Sequence, residues 1–413
     1  MKTRSHWYWM TVAACCGLAA SAVGIFTNSL GIFYTPVSEA LQVGRGAFAL
    51  HATLGTLTLG FLSPVTARLL KSVNLRLLLL IGVVLSCGST ALMSVADSIA
   101  AFYVLGIIRG IGMTTFSLMP ITTIINNWFR KKHGLAVGIA LSFSGLAGAA
   151  FNPVMNALIT GIGWRNAYLF MALFGGLLAL PGILILRLTP REVGLLPYGS
   201  NSDTDAAGMA AAEKHHRIPR APLLTLAVMT LLHTSITGIA QHFPGMSETI
   251  GLTAATGAAM VSAGMIGNIV SKLVIGTLSD RIGPFRASMT MILINMLSLL
   301  GLLLLPADYP AAILGMAFLY GTVYSVGAVG IPLLTRTLFG TENYASAYSV
   351  MTLCTSVGSA SALTIIGLVY DFTGGYSAAL IGGILIDLTN ICALTVLLQM
   401  KKRKDTIHAG ARE

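Results

Sequence analysis

The sequence predicts an all-α membrane protein with twelve transmembrane helices in two pseudo-symmetric six-helix bundles. Three observations lead to this fold class: the composition, the number of long apolar stretches, and a repeat between the two halves of the chain. Of the 413 residues, 55% are hydrophobic and 9% are charged, whereas a soluble domain carries about 25% charged residues. So few charges cannot cover a surface in water, and we therefore expect the apolar surface to face lipid.

Twelve stretches are apolar over about 20 residues, the length that crosses a bilayer as a helix. Their centres lie in 8–35, 47–69, 76–96, 99–126, 135–157, 165–187, 222–245, 253–276, 287–306, 310–334, 345–369 and 377–399, numbered here as spans one to twelve. Trp7, Tyr8 and Trp9 have the character of an interfacial anchor at the start of span one. We therefore interpret this segment as an uncleaved helix and not as a signal peptide.

Six spans lie on each side of one long hydrophilic stretch. The sequence predicts an N-terminal bundle (1–188), a cytoplasmic linker (189–220), a C-terminal bundle (221–400) and a basic cytoplasmic tail (401–413). Landmarks recur between the halves at a nearly constant offset: the Gly-Trp-Arg of 163–165 and the Gly-Gly-Tyr of 374–376 are 211 residues apart. Such a spacing indicates two homologous bundles.

The distribution of basic residues predicts the orientation. With the N-terminus in the cytoplasm, 21 of the 25 Lys and Arg residues fall in cytoplasmic segments, and only Arg45 and Arg165 fall in outer loops. This asymmetry predicts a multi-pass protein of the plasma (inner) membrane with both termini cytoplasmic. The net charge of +11 then reflects topology and attraction to lipid head groups, and it does not indicate a nucleic-acid partner.

Motifs for enzymatic chemistry are missing from the sequence. All five cysteines lie inside predicted spans, which favours packing over a disulfide framework or a metal site. We find no convincing nucleotide-binding loop, zinc-hydrolase motif or nucleophile elbow. The sequence therefore predicts no enzyme activity, no cofactor and no metal.

Short motifs relate the chain to a known family. The pattern Gly276-x-x-x-Asp280-Arg281-x-Gly283 resembles the signature loop of the major facilitator superfamily, although Lys71 replaces the usual acid in the first-half copy. Within that superfamily, the chain resembles monocarboxylate porters and bacterial oxalate–formate-type antiporters. The stretches that carry this resemblance are 31–36, 127–136, 163–165, 194–199 and 370–376. The resemblance implies a secondary transporter that works by alternating access and functions as a monomer.

Embedded charges are the first candidates for a site. A charge near the bilayer centre costs about 2.5–3.5 kcal/mol on insertion scales, so it normally faces a partner or a cavity. Arg109, Lys272 and Asp387 qualify, and His233 is a fourth titratable group. The net embedded charge is positive, which favours an anionic ligand.

Lys272 leads the candidates for substrate binding. It shares one helical face with Asn268 and Gly276, and the resemblance implies that it occupies the position of a carboxylate-binding arginine. The alternative is a lysine that reaches towards the cytoplasmic interface. Asn268 and Asn28 stand where animal monocarboxylate carriers have an aspartate and a lysine. Neither asparagine titrates, so the proton coupling of those carriers cannot operate here unchanged.

The remaining candidates each have a structural alternative. With Lys272, the predicted substrate contacts are Arg109, Asn268, Asn28, Tyr34 and Tyr320. An arginine in span four can equally hold the bundle together. Asp387 and His233 are candidates for proton coupling. Asp387 can instead be a protonated peripheral acid or pair with Asn390, and His233 can be a structural histidine. His51 lies near the outer end of span two and is expected at the interface.

The predicted gating positions combine glycines with the signature loop. Gly145 and Gly148 give span five a seam of small residues that permits close packing and sliding. Gly276, Asp280 and Arg281 form the loop after span eight.

The predicted function is secondary transport of a small organic anion. A lactate- or pyruvate-like monocarboxylate fits best, moved by proton symport or by exchange for a counter-anion across the lipid bilayer. Two alternatives stay open at this point, namely a drug or amphipath exporter of the same fold and a non-transporting membrane sensor.

Overall fold

The computed structural model describes residues 6–200 and 218–410. Ten helical segments in this part of the chain are long and apolar enough to cross a membrane. Two of them contain 53 and 64 residues, although about 20 residues are enough to cross a bilayer. Each is interrupted by one glycine with non-helical dihedral angles, Gly163 and Gly340. Each therefore holds two spans, and the prediction of twelve spans is confirmed.

The first six spans comprise seven α-helices. Span one contains α1 (His6–Ala19), a π-helix (Ala20–Ile25), a 3-10 turn (Leu30–Phe33) and α2 (Tyr34–Ala40). Spans two and three are α3 (Arg45–Ser72) and α4 (Leu75–Leu92). Span four contains α5 (Ile99–Met113) and α6 (Leu118–Trp128), and α7 (His133–Ile185) holds spans five and six.

The last six spans comprise eight α-helices. Span seven contains α8 (Arg220–Ser235), a 3-10 segment (Thr237–His242) and α9 (Phe243–Thr249), and spans eight and nine are α10 (Ala254–Ile282) and α11 (Pro284–Leu304). Span ten contains α12 (Pro310–Tyr320), α13 (Thr322–Ser325) and a π-helix (Val326–Gly330). The helix α14 (Ile331–Thr373) completes span ten and forms span eleven, and α15 (Ser377–Gly410) contains span twelve.

The chain divides into two compact units, Met1–Lys214 and His215–Glu413. Within the first unit, span two packs on span four, and span three packs on spans four and six. Within the second unit, span eight packs on span ten, and span nine packs on spans ten and twelve. The same neighbour pattern in each unit confirms the pseudo-symmetric arrangement of the fold class.

Helix interruptions recur at equivalent positions in the two units. Spans one, four, seven and ten are each broken near their middle, at residues 20–33, 114–117, 236–242 and 321–330. Gly163 and Gly374, which precede spans six and twelve, both have positive φ angles of 84° and 71°. The offset of 211 residues in the sequence therefore corresponds to matching backbone turns.

The part of the predicted linker that is described lies against the first unit. Residues 190–193 form a 3-10 turn, and the Tyr198 amide donates a 2.7 Å hydrogen bond to the Trp128 carbonyl at the end of span four. The Tyr8 hydroxyl donates to the Leu196 carbonyl at 2.8 Å. Residues 201–217 of the predicted linker lie outside the described residues.

Large apolar side chains cover the outside of both units. Phe61 and Leu173 are 63% and 58% exposed in the first unit, and Leu224 and Leu304 are 64% and 69% exposed in the second. Such surfaces suit hydrocarbon and not water.

Two glycines bring the backbones of spans eight and ten into contact. A Cβ atom on Gly267 would lie 1.9 Å from the Phe318 carbonyl oxygen, and one on Gly321 would lie 2.3 Å from the Asn268 amide nitrogen. Only glycine fits at such a crossing, which holds Asn268 and the turn after it against the break in span ten.

This crossing gives the first testable prediction. Gly267→Ala forces the two backbones apart, and overpacking of this kind costs about 1–3 kcal/mol, so we expect a lower melting temperature in detergent. The matched control is Gly315→Ala in α12, where the new methyl group meets no atom within 4 Å. It is expected to be neutral or stabilising by up to ~1 kcal/mol. Equal melting temperatures for both variants would contradict the close crossing.

Candidate functional site

Lys272 is a buried cation in span eight, four residues before Gly276. Its side chain is 5% exposed, although Leu273 and Val274 beside it in the chain are 37% and 42% exposed. Span eight therefore turns one face outward and keeps Lys272 on its protected face. The burial speaks against the alternative in which this lysine extends to an interface.

The turn that carries Lys272 is held by polar contacts to span ten. The Ser271 hydroxyl lies 3.1 Å from two carbonyl oxygens, those of Asn268 in its own helix and Gly321 in the break of span ten. Asn268 is 6% exposed, and its side-chain oxygen has no hydrogen-bond partner among the described residues. The arrangement thus combines a buried ammonium group with a buried amide oxygen one helical turn away, and both can contact a polar ligand.

Span seven is fastened to span ten where both helices are interrupted. The Tyr320 hydroxyl donates to the Ile236 carbonyl and the Tyr324 hydroxyl donates to the Thr237 carbonyl at 3.1 Å. The His233 Nε2 lies 2.9 Å from the Val323 carbonyl oxygen, and since a carbonyl only accepts, this nitrogen carries the hydrogen. These side chains add hydrogen bonds between the two spans at carbonyl groups beside the interruptions.

Two residues proposed from the sequence, Tyr320 and His233, therefore make hydrogen-bond contacts with backbone carbonyls. Tyr320 is fully buried in the hydrophobic core of the second unit, and its hydroxyl is already bonded to Ile236. His233 is also fully buried. A contact between Tyr320 and substrate, and a role for His233 in coupling, stay predictions.

Asp387 is a fully buried acid whose partner lies on another span. The Asn295 amide in span nine donates a 2.7 Å hydrogen bond to Asp387 Oδ2. Asn390, the partner suggested by the sequence, is also fully buried one turn further along span twelve. Asp387 is therefore bonded to a neutral amide of span nine, and a second amide, Asn390, is buried on its own span.

In the first unit, Asn28 lies in the break of span one and touches span five. Its side-chain nitrogen lies 3.3 Å from the Ser144 carbonyl oxygen. A Cβ atom on Gly148 would meet the Asn28 Cβ at 3.2 Å, so the glycine allows this approach. Gly145 and Gly148 are both buried, as a packing seam requires.

Arg109 is the second buried cation, in α5 of span four. It is 2% exposed, and its Nε and Nη1 atoms have no hydrogen-bond partner among the described residues. Tyr34, a half-buried residue of α2, lies within electrostatic range of the guanidinium. The Nε and Nη1 groups of Arg109 therefore do not bond the carbonyls of a neighbouring helix, as the structural alternative would require.

The signature motif is predicted as a loop after span eight, but residues 276–282 are the last turns of α10, which ends at Ile282. Gly276 is buried, whereas Asp280 and Arg281 are exposed at the end of α10. Gly283 ends this helix with φ of 86°, a value that favours glycine. Their role in gating stays a prediction.

Sequence reasoning missed three residues that the structure brings to these sites. Asn295 faces Asp387 from 92 residues away, and Tyr168 of span six lies within electrostatic range of Arg109. His51, expected at the interface, is fully buried and lies in range of the same guanidinium. Each of the three is a polar residue inside a predicted span, and this property could have marked it as a candidate. The residue that it meets depends on how the helices pack.

Comparison with known proteins gives consistent results. A sequence model of the Major Facilitator Superfamily matches residues 14–363. Monocarboxylate transporter 13 of Rattus norvegicus is 24% identical over 91% of this chain and 85% of its own length. Monocarboxylate transporter 12 of Xenopus laevis is 23% identical over 90% of this chain and 85% of its own length.

Solved structures share the fold at low identity. The transporter FucP in its outward conformation aligns with a TM-score of 0.69 and 15% identity over 95% of this chain and 99% of FucP. The human organic anion transporter MFSD10 (TETRAN) aligns with a TM-score of 0.70 and 14% identity over 95% of this chain and 99% of its own. At these identities the likeness establishes the fold.

The fastening of spans seven and ten gives the second prediction. Tyr320→Phe removes the buried hydroxyl that donates to the Ile236 carbonyl, a loss of about 0.5–1.5 kcal/mol, and we expect a lower melting temperature. Tyr324→Phe is the control, since it also deletes a hydroxyl bonded to a carbonyl but at a half-buried position, and its effect should be smaller. If Tyr320→Phe instead melts like the wild type and loses anion affinity, the hydroxyl serves the substrate.

Proposed function

Because the chain belongs to the major facilitator superfamily, we propose that it is a secondary transporter of a small monocarboxylate and that Lys272 binds the carboxylate. The observation that carries this proposal is the burial of Lys272, 5% exposed inside an apolar span. A cation kept in hydrocarbon at a cost of a few kcal/mol is a functional group by default. The names of the relatives matched over nine tenths of this chain support a monocarboxylate as the substrate.

The chemistry of Lys272 and Asn268 suits one end of such a ligand. The ammonium group supplies three donors and a point charge for a carboxylate. The Asn268 amide, one turn away, can accept from a ligand hydroxyl through its unpartnered oxygen. A lysine lacks the fork of an arginine, so it accepts carboxylates in more than one orientation.

The same relatives favour this function over the two alternatives of an amphipath exporter and a non-transporting sensor. We further propose that the protein acts as a monomer in the plasma membrane with both termini in the cytoplasm, as the distribution of basic residues indicates.

Proton coupling requires a titratable group, and Asn28 and Asn268 provide none. Two buried groups in the second unit can take this role, Asp387 and His233. We propose Asp387, because its carboxyl is held by the neutral amide of Asn295 and can gain or lose a proton without breaking an ion pair there. The His233 ring already serves the Val323 carbonyl. Without a coupling group, exchange for a counter-anion is the remaining mechanism.

The third prediction tests the carboxylate contact. In proteoliposomes, Lys272→Ala should lower lactate or pyruvate uptake more than tenfold, since removal of a charge partner from a desolvated site costs about 2–5 kcal/mol. Lys272→Arg keeps the charge and should retain part of the uptake. The control is Lys71→Ala, which removes an exposed lysine at the end of α3. Uptake by Lys272→Ala at the wild-type rate would remove Lys272 from the site.

The fourth prediction separates symport from exchange. Asp387→Asn cannot titrate but keeps an oxygen for the Asn295 amide, so the variant should fold and lose the pH dependence of uptake. His233→Gln is the matched comparison and should keep the wild-type pH profile. If Asp387→Asn also keeps it, Asp387 has a structural role, and uptake driven by an outward gradient of a second carboxylate becomes the expected result.

A further inference from the structure

The first unit contains a buried cation, Arg109, that has no counter-ion among the described residues. The described part of this unit has three acids, Glu39, Asp97 and Glu192, and all three are exposed. None of them forms a salt bridge with Arg109; Asp97 pairs with Arg165 at the outer end of the unit. Removal of a charge from water without a partner is among the most costly events in a protein interior. A structural role alone does not explain why Arg109 is placed there.

Other unpartnered polar groups surround the guanidinium. The Tyr168 hydroxyl and the His51 Nε2 are buried and have no hydrogen-bond partner among the described residues. The phenol of Tyr34 and both of these groups lie within electrostatic range of Arg109. Four polar side chains from spans one, two, four and six thus lie near one another in a single unit, and those of Arg109, Tyr168 and His51 have buried polar atoms without a partner among the described residues.

The walls of this region are aromatic and closely packed. Phe33 stacks on Tyr168 with ring centroids 4.1 Å apart, and the rings of Tyr34 and His51 are 6.3 Å apart. Phe102 lies between His51 and Tyr168, at 6.0 Å and 6.1 Å from their rings. Apolar walls lower the local dielectric constant, which strengthens any electrostatic contact made beside them.

The polar groups are mainly donors. The guanidinium of Arg109 and the phenols of Tyr34 and Tyr168 all donate hydrogen bonds. The His51 Nδ1 lies 2.5 Å from the Phe48 carbonyl oxygen, so the ring is oriented by that bond. Its free Nε2 accepts from a ligand hydroxyl in the neutral ring and donates in the protonated ring. A set of donors around an arginine fork is complementary to a carboxylate.

We propose that Arg109, Tyr34, Tyr168 and His51 form a binding site for a small carboxylate within the first unit. The site does not use Lys272, and it goes beyond the proposed function because it exists whether or not Lys272 binds the transported anion. The bound carboxylate neutralises the guanidinium and satisfies the phenols. Arg109 is therefore a charge kept unpaired by the protein so that a ligand can pair with it, at a cost to the stability of the empty state.

The test measures thermal unfolding of the full-length protein in detergent with sodium lactate or sodium acetate. Sodium chloride at equal ionic strength serves as the salt control. A Lys272→Ala background removes the other candidate anion site. In this background we expect the carboxylates to raise the melting temperature, and we expect the rise to disappear in Lys272→Ala/Arg109→Gln. The absence of a rise in Lys272→Ala, or its persistence in the double variant, would overturn the proposal.

Two further variants examine the chemistry of the site. Tyr168→Phe in the Lys272→Ala background should raise the half-maximal lactate concentration about tenfold, as loss of one hydrogen bond to a charged ligand predicts. Tyr103→Phe is the matched control, because it removes a hydroxyl of the same unit that already donates to the Ala47 carbonyl. Equal effects of the two variants would overturn the assignment of Tyr168. Equal stabilisation by chloride and lactate would overturn the carboxylate class.

The empty protein supplies an independent readout. Arg109→Gln removes an unpaired buried charge, so its melting temperature without ligand should exceed that of the wild type. A lower value would show that the guanidinium holds the unit together and would count against the proposal. If Arg109→Gln does not fold, Arg109→Lys keeps the charge without the fork, and wild-type lactate affinity in Lys272→Ala/Arg109→Lys would be the contradicting result.

Failure of this proposal is distinguishable from failure of the proposed function. Loss of uptake in Lys272→Ala with no anion binding at Arg109 would leave the transport proposal intact. Normal uptake in Lys272→Ala with binding lost only in Arg109→Gln would leave this site as the anion site of the protein.

Discussion

Hydrocarbon offers no hydrogen bonds, and this constraint governs the whole structure. Every backbone group inside the membrane must find its partner within the protein, so the spans are helical. Where a helix breaks, side chains add hydrogen bonds: the Tyr320 and Tyr324 hydroxyls and the Ser271 hydroxyl each donate to a carbonyl at such a break. Side chains from neighbouring spans therefore stabilise the interruptions.

The positions of the breaks also locate the polar groups. Asn28 lies in the break of span one, and the turn that carries Asn268 and Lys272 packs against the break at Gly321. Glycine at these crossings removes the side chains that would keep the backbones apart. An unwound segment and a close crossing together create room for a polar residue inside an otherwise apolar bundle.

In the described part of each unit one Lys or Arg is buried, and the two have different surroundings. Lys272 is accompanied by an amide, Asn268, on its own helix. Arg109 is accompanied by two phenols and an imidazole from three other spans. The buried acid of the second unit, Asp387, is bonded to a neutral amide. A positive balance of this kind favours an anionic ligand, because burial of an unpaired charge is costly.

The sequence by itself determined the membrane class, the twelve spans, the repeat and the identity of the embedded charges. Those features follow from local composition and from spacing along the chain, because the bilayer requires apolar stretches of a fixed length and an asymmetric placement of charges. It could not determine which side chains meet. Asn295 reaches Asp387 across 92 residues, and His51 and Tyr168 join Arg109 from separate spans. The packing of helices decides such contacts, because the rotation of each span is set by the side chains of its neighbours as well as by its own.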